Sequence, residues 1–129
     1  MASAQATQKT SRILSRFAAI VLLATAIFHA TGYTDLDRAV DASDLSPFFR
    51  RALPRIWLFF SWHLIAVAGA LGWASLSGSR SGRPLLTFAA ILICADALFV
   101  LWVAGFFAGT VLLFAAAVCA VVAAARAPS

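Results

Sequence analysis

The sequence contains no glutamate and no asparagine, a single lysine and only two cysteines. Charged residues make up 12% of its 129 residues, whereas hydrophobic residues make up 63%. Soluble globular domains carry about twice that charged fraction. The composition therefore excludes an ordinary soluble domain and indicates an integral membrane protein.

The sequence patterns of common catalytic sites are missing as well. There is no glycine-rich phosphate loop, no Gly-x-Ser-x-Gly elbow, no HExxH and no cluster of residues spaced as metal ligands. Cys94 and Cys119 lack Cys-x-x-Cys spacing and fall inside apolar runs, where a thiol behaves as a small apolar side chain. These absences favour a non-enzymatic protein and leave enzymatic activity uncertain.

Four apolar runs have the length that a transmembrane helix needs, which is about 20 residues. The predicted spans are residues 13–33, 56–76, 85–104 and 110–125. The last two come from one run that is too long for a single span, and "GFFAGT", Gly105 to Thr110, is its predicted turn because glycine permits tight turns. We therefore predict an all-α membrane protein, a four-transmembrane-helix bundle with short connections and one longer polar loop between helices 1 and 2.

The N-terminal segment divides into a polar and an apolar part. Residues 1–10 are predicted to be a disordered polar tail, and residues 11–129 a single transmembrane domain. A cleaved signal peptide is the alternative for the first span, since a basic start and an Ala-x-Ala pattern at 24–26 resemble a cleavage site. Against it, the apolar run continues beyond that pattern to Phe28.

The distribution of basic residues predicts the orientation. One side of the predicted bundle carries Lys9, Arg12, Arg16, Arg80, Arg83 and Arg126 without any acidic residue. The other side carries four arginines together with four aspartates. Since cytoplasmic flanks retain Lys and Arg, both termini are predicted to be cytoplasmic in a multi-pass cell-membrane protein. The richness in Ala and Arg favours a bacterial inner membrane.

The net charge of +5 fits contact with anionic lipid headgroups. The basic residues are not interleaved with aromatic residues as in a nucleic-acid groove, so the predicted partner is the lipid bilayer and not nucleic acid.

The second half of the long loop begins with a helix signal. Ser46 caps free amides and Pro47 suits the first helical position. Two interpretations stay open for the residues that follow. Phe48, Phe49 and Leu53 either belong to a short interfacial helix or to a segment that leads directly into the second span.

Three ionisable residues fall inside the predicted spans: His29, His63 and Asp96. Counted at about 1.5 Å per residue from each span's midpoint, all three lie in the membrane half on the side of the long loop. An ionised Asp at mid-membrane costs about 2.5 to 3.5 kcal/mol, so Asp96 needs a partner. His63 lies at a similar depth, and we predict that it pairs with Asp96.

Three interpretations of these residues stay open. The first is structural, with polar side chains joining helices. The second is a proton or small-ligand site. The third is haem b held between His29 and His63. Their predicted depths differ by about 4 to 5 Å, which argues against a shared haem. Apart from this haem, the sequence predicts no cofactor.

These patterns favour a non-enzymatic helper, assembly or interaction component. Its small-residue helix faces, "GALG" in the second span and the Ala-rich fourth span, would pack against a second copy or a partner membrane subunit. The alternative function is the handling of a small ligand, a proton or haem b by His29, His63 and Asp96. The substrate and the partner are not determined by the sequence.

Overall fold

The computed structural model describes residues 2–77 and 82–127, and all regular structure within them is helical. The helices are α1 (Ala2–Thr31), α2 (Tyr33–Asp41), α3 (Pro47–Ser77), α4 (Gly82–Ala104) and α5 (Ala108–Ala125). Helices α1, α3, α4 and α5 are long and apolar enough to cross a membrane. The predicted fold, an all-α bundle of four membrane-spanning helices, is confirmed.

The four spanning helices form a ring in the order α1, α3, α4, α5. Helix α1 packs closely against α3 and α5, and α4 packs closely against α5, whereas the contact between α3 and α4 is less extensive. Ser11 Oγ on α1 donates a hydrogen bond to the carbonyl of Ala123 on α5 at 2.7 Å. The start of α1 and the end of α5 therefore lie at the same end of the bundle.

The core is narrow and the outside is strongly apolar. Leu22, Leu64, Leu71 and Ile93 are fully buried along the bundle axis. Large apolar side chains remain exposed on every spanning helix, among them Ile20, Phe59, Trp102 and Val118. Such surfaces are stable against hydrocarbon and not against water, so the exposed faces are those that contact lipid.

The turn between the last two spans lies where the glycines predict it. Helix α4 ends at Ala104, and Gly105 follows with a φ of 74°. This left-handed conformation strains residues with a Cβ atom, so glycine ends the helix and reverses the chain. Thr110 Oγ1 donates to the Gly105 carbonyl at 2.8 Å and thereby satisfies a carbonyl that the helix leaves free.

Other helix bounds differ from the predicted spans. Helix α1 includes residues 2–10, for which the sequence predicts a disordered tail, and their behaviour in solution stays a prediction. Helix α3 begins at Pro47 and continues through Pro54. Residues 48–53 therefore lead directly into the second span, one of the two interpretations above. The polar loop also contains α2, and Arg80 lies outside the described residues.

Candidate functional site

The two ends of the bundle differ in how completely side chains fill the space between the helices. We name the end that holds both chain termini the terminal half, and the end that holds α2 and the Gly105 turn the loop half. The terminal half comprises residues 11–22, 64–77, 82–93 and 114–125. The loop half comprises α2 and residues 23–32, 47–63 and 94–113.

Short side chains bring the helices together in the terminal half. Ser15 Oγ donates to the Leu71 carbonyl at 2.8 Å, so a two-atom side chain on α1 reaches the backbone of α3. The buried residues around it are mostly alanines: Ala18, Ala19, Ala68, Ala74, Ala89, Ala90, Ala116, Ala117, Ala120 and Ala123. Small residues permit this close approach. A groove of about 370 Å³ on this half is lined by α4 and α5 alone.

Large side chains surround a cavity in the loop half. The cavity has a volume of about 560 Å³, and all four spanning helices and α2 contribute to its wall. Its aromatic lining residues are Phe28, His29, Trp57, Phe60, Phe99 and Phe107. Pockets for small organic ligands measure about 300 to 1,000 Å³ and are mainly apolar, with a few polar groups. The loop half therefore holds a space of the size and character of a ligand site.

His29 is held in the wall of this cavity by contacts with three residues of α3. Its ring stacks on Trp57, with 4.1 Å between centroids and 16° between planes. Its Nδ1 lies 2.9 Å from Ser61 Oγ, and its backbone carbonyl accepts a hydrogen bond from Trp57 Nε1 at 2.8 Å. Phe60 meets the imidazole edge-on at 5.0 Å. These contacts hold the ring in one orientation.

His63 and Asp96 lie together between α3 and α4. His63 Nε2 is 2.9 Å from Asp96 Oδ2, and the two side chains are 28% and 18% exposed. They do not line the cavity; each lies one helical turn closer to the terminal half than a lining residue, Phe60 on α3 and Phe99 on α4. The pair thus joins α3 to α4 beneath the cavity, at an interface where these helices make few other contacts.

The two histidines do not face each other. Phe60 contacts both rings, with centroid distances of 5.0 Å to His29 and 6.1 Å to His63. One nitrogen of each imidazole already faces a neighbouring side chain, Ser61 for His29 and Asp96 for His63. Two axial haem ligands direct free nitrogens at one iron from opposite sides. This arrangement does not have that geometry, and it gives the haem interpretation no support.

Sequence reasoning missed Ser61, Trp57 and Phe60 as parts of the site. Trp57 and Ser61 are four residues apart, so they share one face of α3, and this spacing was available as a signal. The cavity itself has no sequence signature, because its volume depends on distances between helices.

Comparisons with protein families, with characterised proteins and with solved structures find no match to this chain. The function is therefore inferred from the geometry of the site.

Proposed function

We propose that this membrane protein is a non-enzymatic component that binds a lipophilic small molecule in the cavity of the loop half. The observation that carries the proposal is the cavity of about 560 Å³, whose wall is almost entirely apolar and comes from every spanning helix. A wall built from four helices is shaped by the whole fold and is not an accident of one side chain. The closely packed terminal half lies beneath it, so an occupant enters and leaves through the loop half.

His63 and Asp96 have a positioning role in this proposal. Their hydrogen bond joins α3 and α4 directly beneath the cavity and thereby sets the separation of Phe60 from Phe99 above it. If His63→Ala and Asp96→Ala change only folding or ligand affinity, this role is supported. Loss of a transport or redox phenotype at unchanged protein abundance would instead favour proton handling by the pair.

The proposed location is a bacterial inner membrane with both termini in the cytoplasm. The terminal half carries basic residues without acidic ones, including Arg12, Arg16 and Arg83, whereas the loop half mixes arginines with aspartates. Cytoplasmic flanks are enriched in Lys and Arg, so the cavity would open toward the periplasm. Green fluorescent protein fused to the C-terminus should fluoresce, and a fused periplasmic phosphatase should be inactive; the reverse result contradicts this orientation.

A second candidate function is docking to another membrane helix through α3. Most alanines of α5 are buried inside this chain, namely Ala116, Ala117, Ala120, Ala123 and Ala124. Gly69 on α3 is exposed, and an added Cβ would meet nothing within 4 Å. Exposed Trp62 and Trp73 lie on the same face. Small residues permit close helix contact, so Gly69→Leu should abolish cross-linking to a second copy or to a partner subunit. Cross-linking that is unchanged in this variant contradicts docking at Gly69.

The ligand-binding proposal is tested with a flat hydrocarbon probe and two variants of α4. Val100 lines the cavity, whereas Leu98 is 60% exposed on the lipid-facing side of the same helix. Anthracene should bind saturably to protein in lipid nanodiscs, above its partition into empty nanodiscs. Val100→Phe should weaken that binding about tenfold by filling the cavity, and the matched Leu98→Phe should leave it unchanged. Equal anthracene binding to Val100→Phe and Leu98→Phe contradicts the proposal.

A further inference from the structure

The polar groups in the cavity wall differ in whether their hydrogen-bonding capacity is already used. Thr25 Oγ1 donates to the carbonyl of Val21 at 2.8 Å, and Thr31 Oγ1 donates to that of Phe28 at 2.6 Å. Trp57 Nε1 donates to the His29 carbonyl. Each of these donors is therefore occupied within the protein. His29 is the remaining polar side chain of the described cavity wall, and the state of its two ring nitrogens has to be worked out.

Ser61 determines which nitrogen of His29 carries the proton. Ser61 is buried, and within the described part of the chain its hydroxyl contacts His29 Nδ1 alone. A buried O–H group without an acceptor costs about 1 to 3 kcal/mol, so the Ser61 hydroxyl donates to Nδ1. An imidazole inside the membrane is most stable when neutral, and a neutral ring that accepts at Nδ1 carries its hydrogen on Nε2.

The Nε2–H group of His29 has no acceptor among the described residues. In the described ranges 2–77 and 82–127, no fully buried side-chain nitrogen or oxygen lacks a hydrogen-bond partner. Nε2 is therefore not sealed inside the protein, and His29 belongs to the cavity wall. The cavity thus combines an aromatic, apolar lining with one fixed donor.

From this combination we infer that the ligand carries a hydrogen-bond acceptor, a carbonyl oxygen on a flat lipophilic ring, and that His29 Nε2–H donates to it. The inference rests on the proposed function and names the ligand class, a lipophilic quinone or cyclic ketone. The aromatic wall suits a flat ring, because aromatic rings stack or meet edge-to-face. A plain hydrocarbon chain leaves the Nε2–H group unpaired, and an unpaired donor in an apolar site is costly.

Two ligands of one shape test the inference. Anthracene and 9,10-anthraquinone have the same three-ring frame, and only the quinone carries carbonyl oxygens. Binding of each is measured to protein in lipid nanodiscs, with empty nanodiscs as the baseline. The quinone should bind about tenfold more tightly than anthracene, which corresponds to about one net hydrogen bond.

Variants of His29 and Ser61 assign that preference to a single group. His29→Phe keeps a flat ring beside Trp57 but removes the donor, so the ratio of quinone to anthracene affinity measured in this variant should fall to about one. His29→Gln supplies an amide N–H and should retain part of the preference. In Ser61→Ala the hydrogen on the His29 ring is no longer held on Nε2, so the ratio of quinone to anthracene affinity should fall about threefold.

The outcomes separate failure of this inference from failure of the proposed function. Saturable anthracene binding that Val100→Phe weakens, without any preference for the quinone, overturns the inference and leaves the proposed function standing. The same follows if the preference survives in His29→Phe. If neither anthracene nor 9,10-anthraquinone binds saturably, both the inference and the proposed function are overturned.

Discussion

The terminal half and the loop half are built from the same four helices, yet one is closed and the other holds a cavity. In the terminal half, Ser15 on α1 reaches the backbone carbonyl of Leu71 on α3, and alanines together with a few fully buried leucine and isoleucine side chains fill the space between helices. In the loop half, the rings of Trp57, Phe60 and Phe99 lie between the helices and line a cavity of about 560 Å³. The two halves therefore differ in how completely side chains fill the space between the helices.

The physical reason lies in the membrane environment. Lipid chains are as apolar as the core, so close contact and hydrogen bonds between helices, and not burial from water, hold such a bundle together. Small residues maximise close contact, whereas rigid rings cannot fill a space of arbitrary shape. Stability is therefore expected to reside mainly in the terminal half, and binding in the loop half.

The largest expected effect comes from separating the helices of the terminal half. Ser15→Leu inserts a large side chain where the residue is fully buried against α3, and overpacking of this kind costs about 1 to 3 kcal/mol. The melting temperature in detergent should fall clearly. Ser77→Leu, at an exposed position on α3, is the control and should melt like the unmodified protein. Equal melting of Ser15→Leu and Ser77→Leu would remove the distinction between the halves.

The boundary between the halves should give the next largest effect. Asp96→Ala leaves His63 without its partner between α3 and α4, and loss of such a polar contact between membrane helices costs about 1 to 2 kcal/mol. A double-mutant cycle with His63→Ala should give a coupling of about 0.6 to 1.7 kcal/mol, as for other polar pairs between membrane helices. Unfolding in a denaturing detergent measures both the stability loss in Asp96→Ala and the coupling energy. Additive effects of the two substitutions would show that the pair does not join α3 to α4.

The smallest effect on stability should come from the loop half. A Cβ atom at Gly32 would lie 2.9 Å from the ring of Trp57, so Gly32→Ala must displace the ring on which His29 stacks. We expect a loss of stability of about 1 kcal/mol and a severalfold loss of 9,10-anthraquinone affinity. The control is Gly69→Ala, whose added Cβ meets nothing within 4 Å. It should lower neither the stability nor the affinity for 9,10-anthraquinone. A stability loss in Gly32→Ala without any change in affinity would place the binding site elsewhere.

Much of the architecture was predictable from local chemistry. Apolar run length predicts the four spans, and the glycines of "GFFAGT" predict the reversal that the structure places at Gly105. The depth of His63 and Asp96 follows from counting residues along their helices, and the structure brings these two side chains within 2.9 Å. The partner of His29 was not predictable in this way, because Ser61 and His63 lie at similar depths and the rotation of α3 decides between them.

The sequence by itself determined that the protein has four helices long and apolar enough to span a membrane, where the last two spans reverse, and which ionisable residues fall within the apolar spans. These properties depend on hydrophobicity and residue spacing along one chain segment. Only the tertiary structure decided that α3 turns Ser61 toward His29 and that aromatic residues of α1, α3 and α4, with Phe107 before α5, line a cavity. Both depend on helix rotation and on distances between helices, which arise when side chains distant in sequence meet.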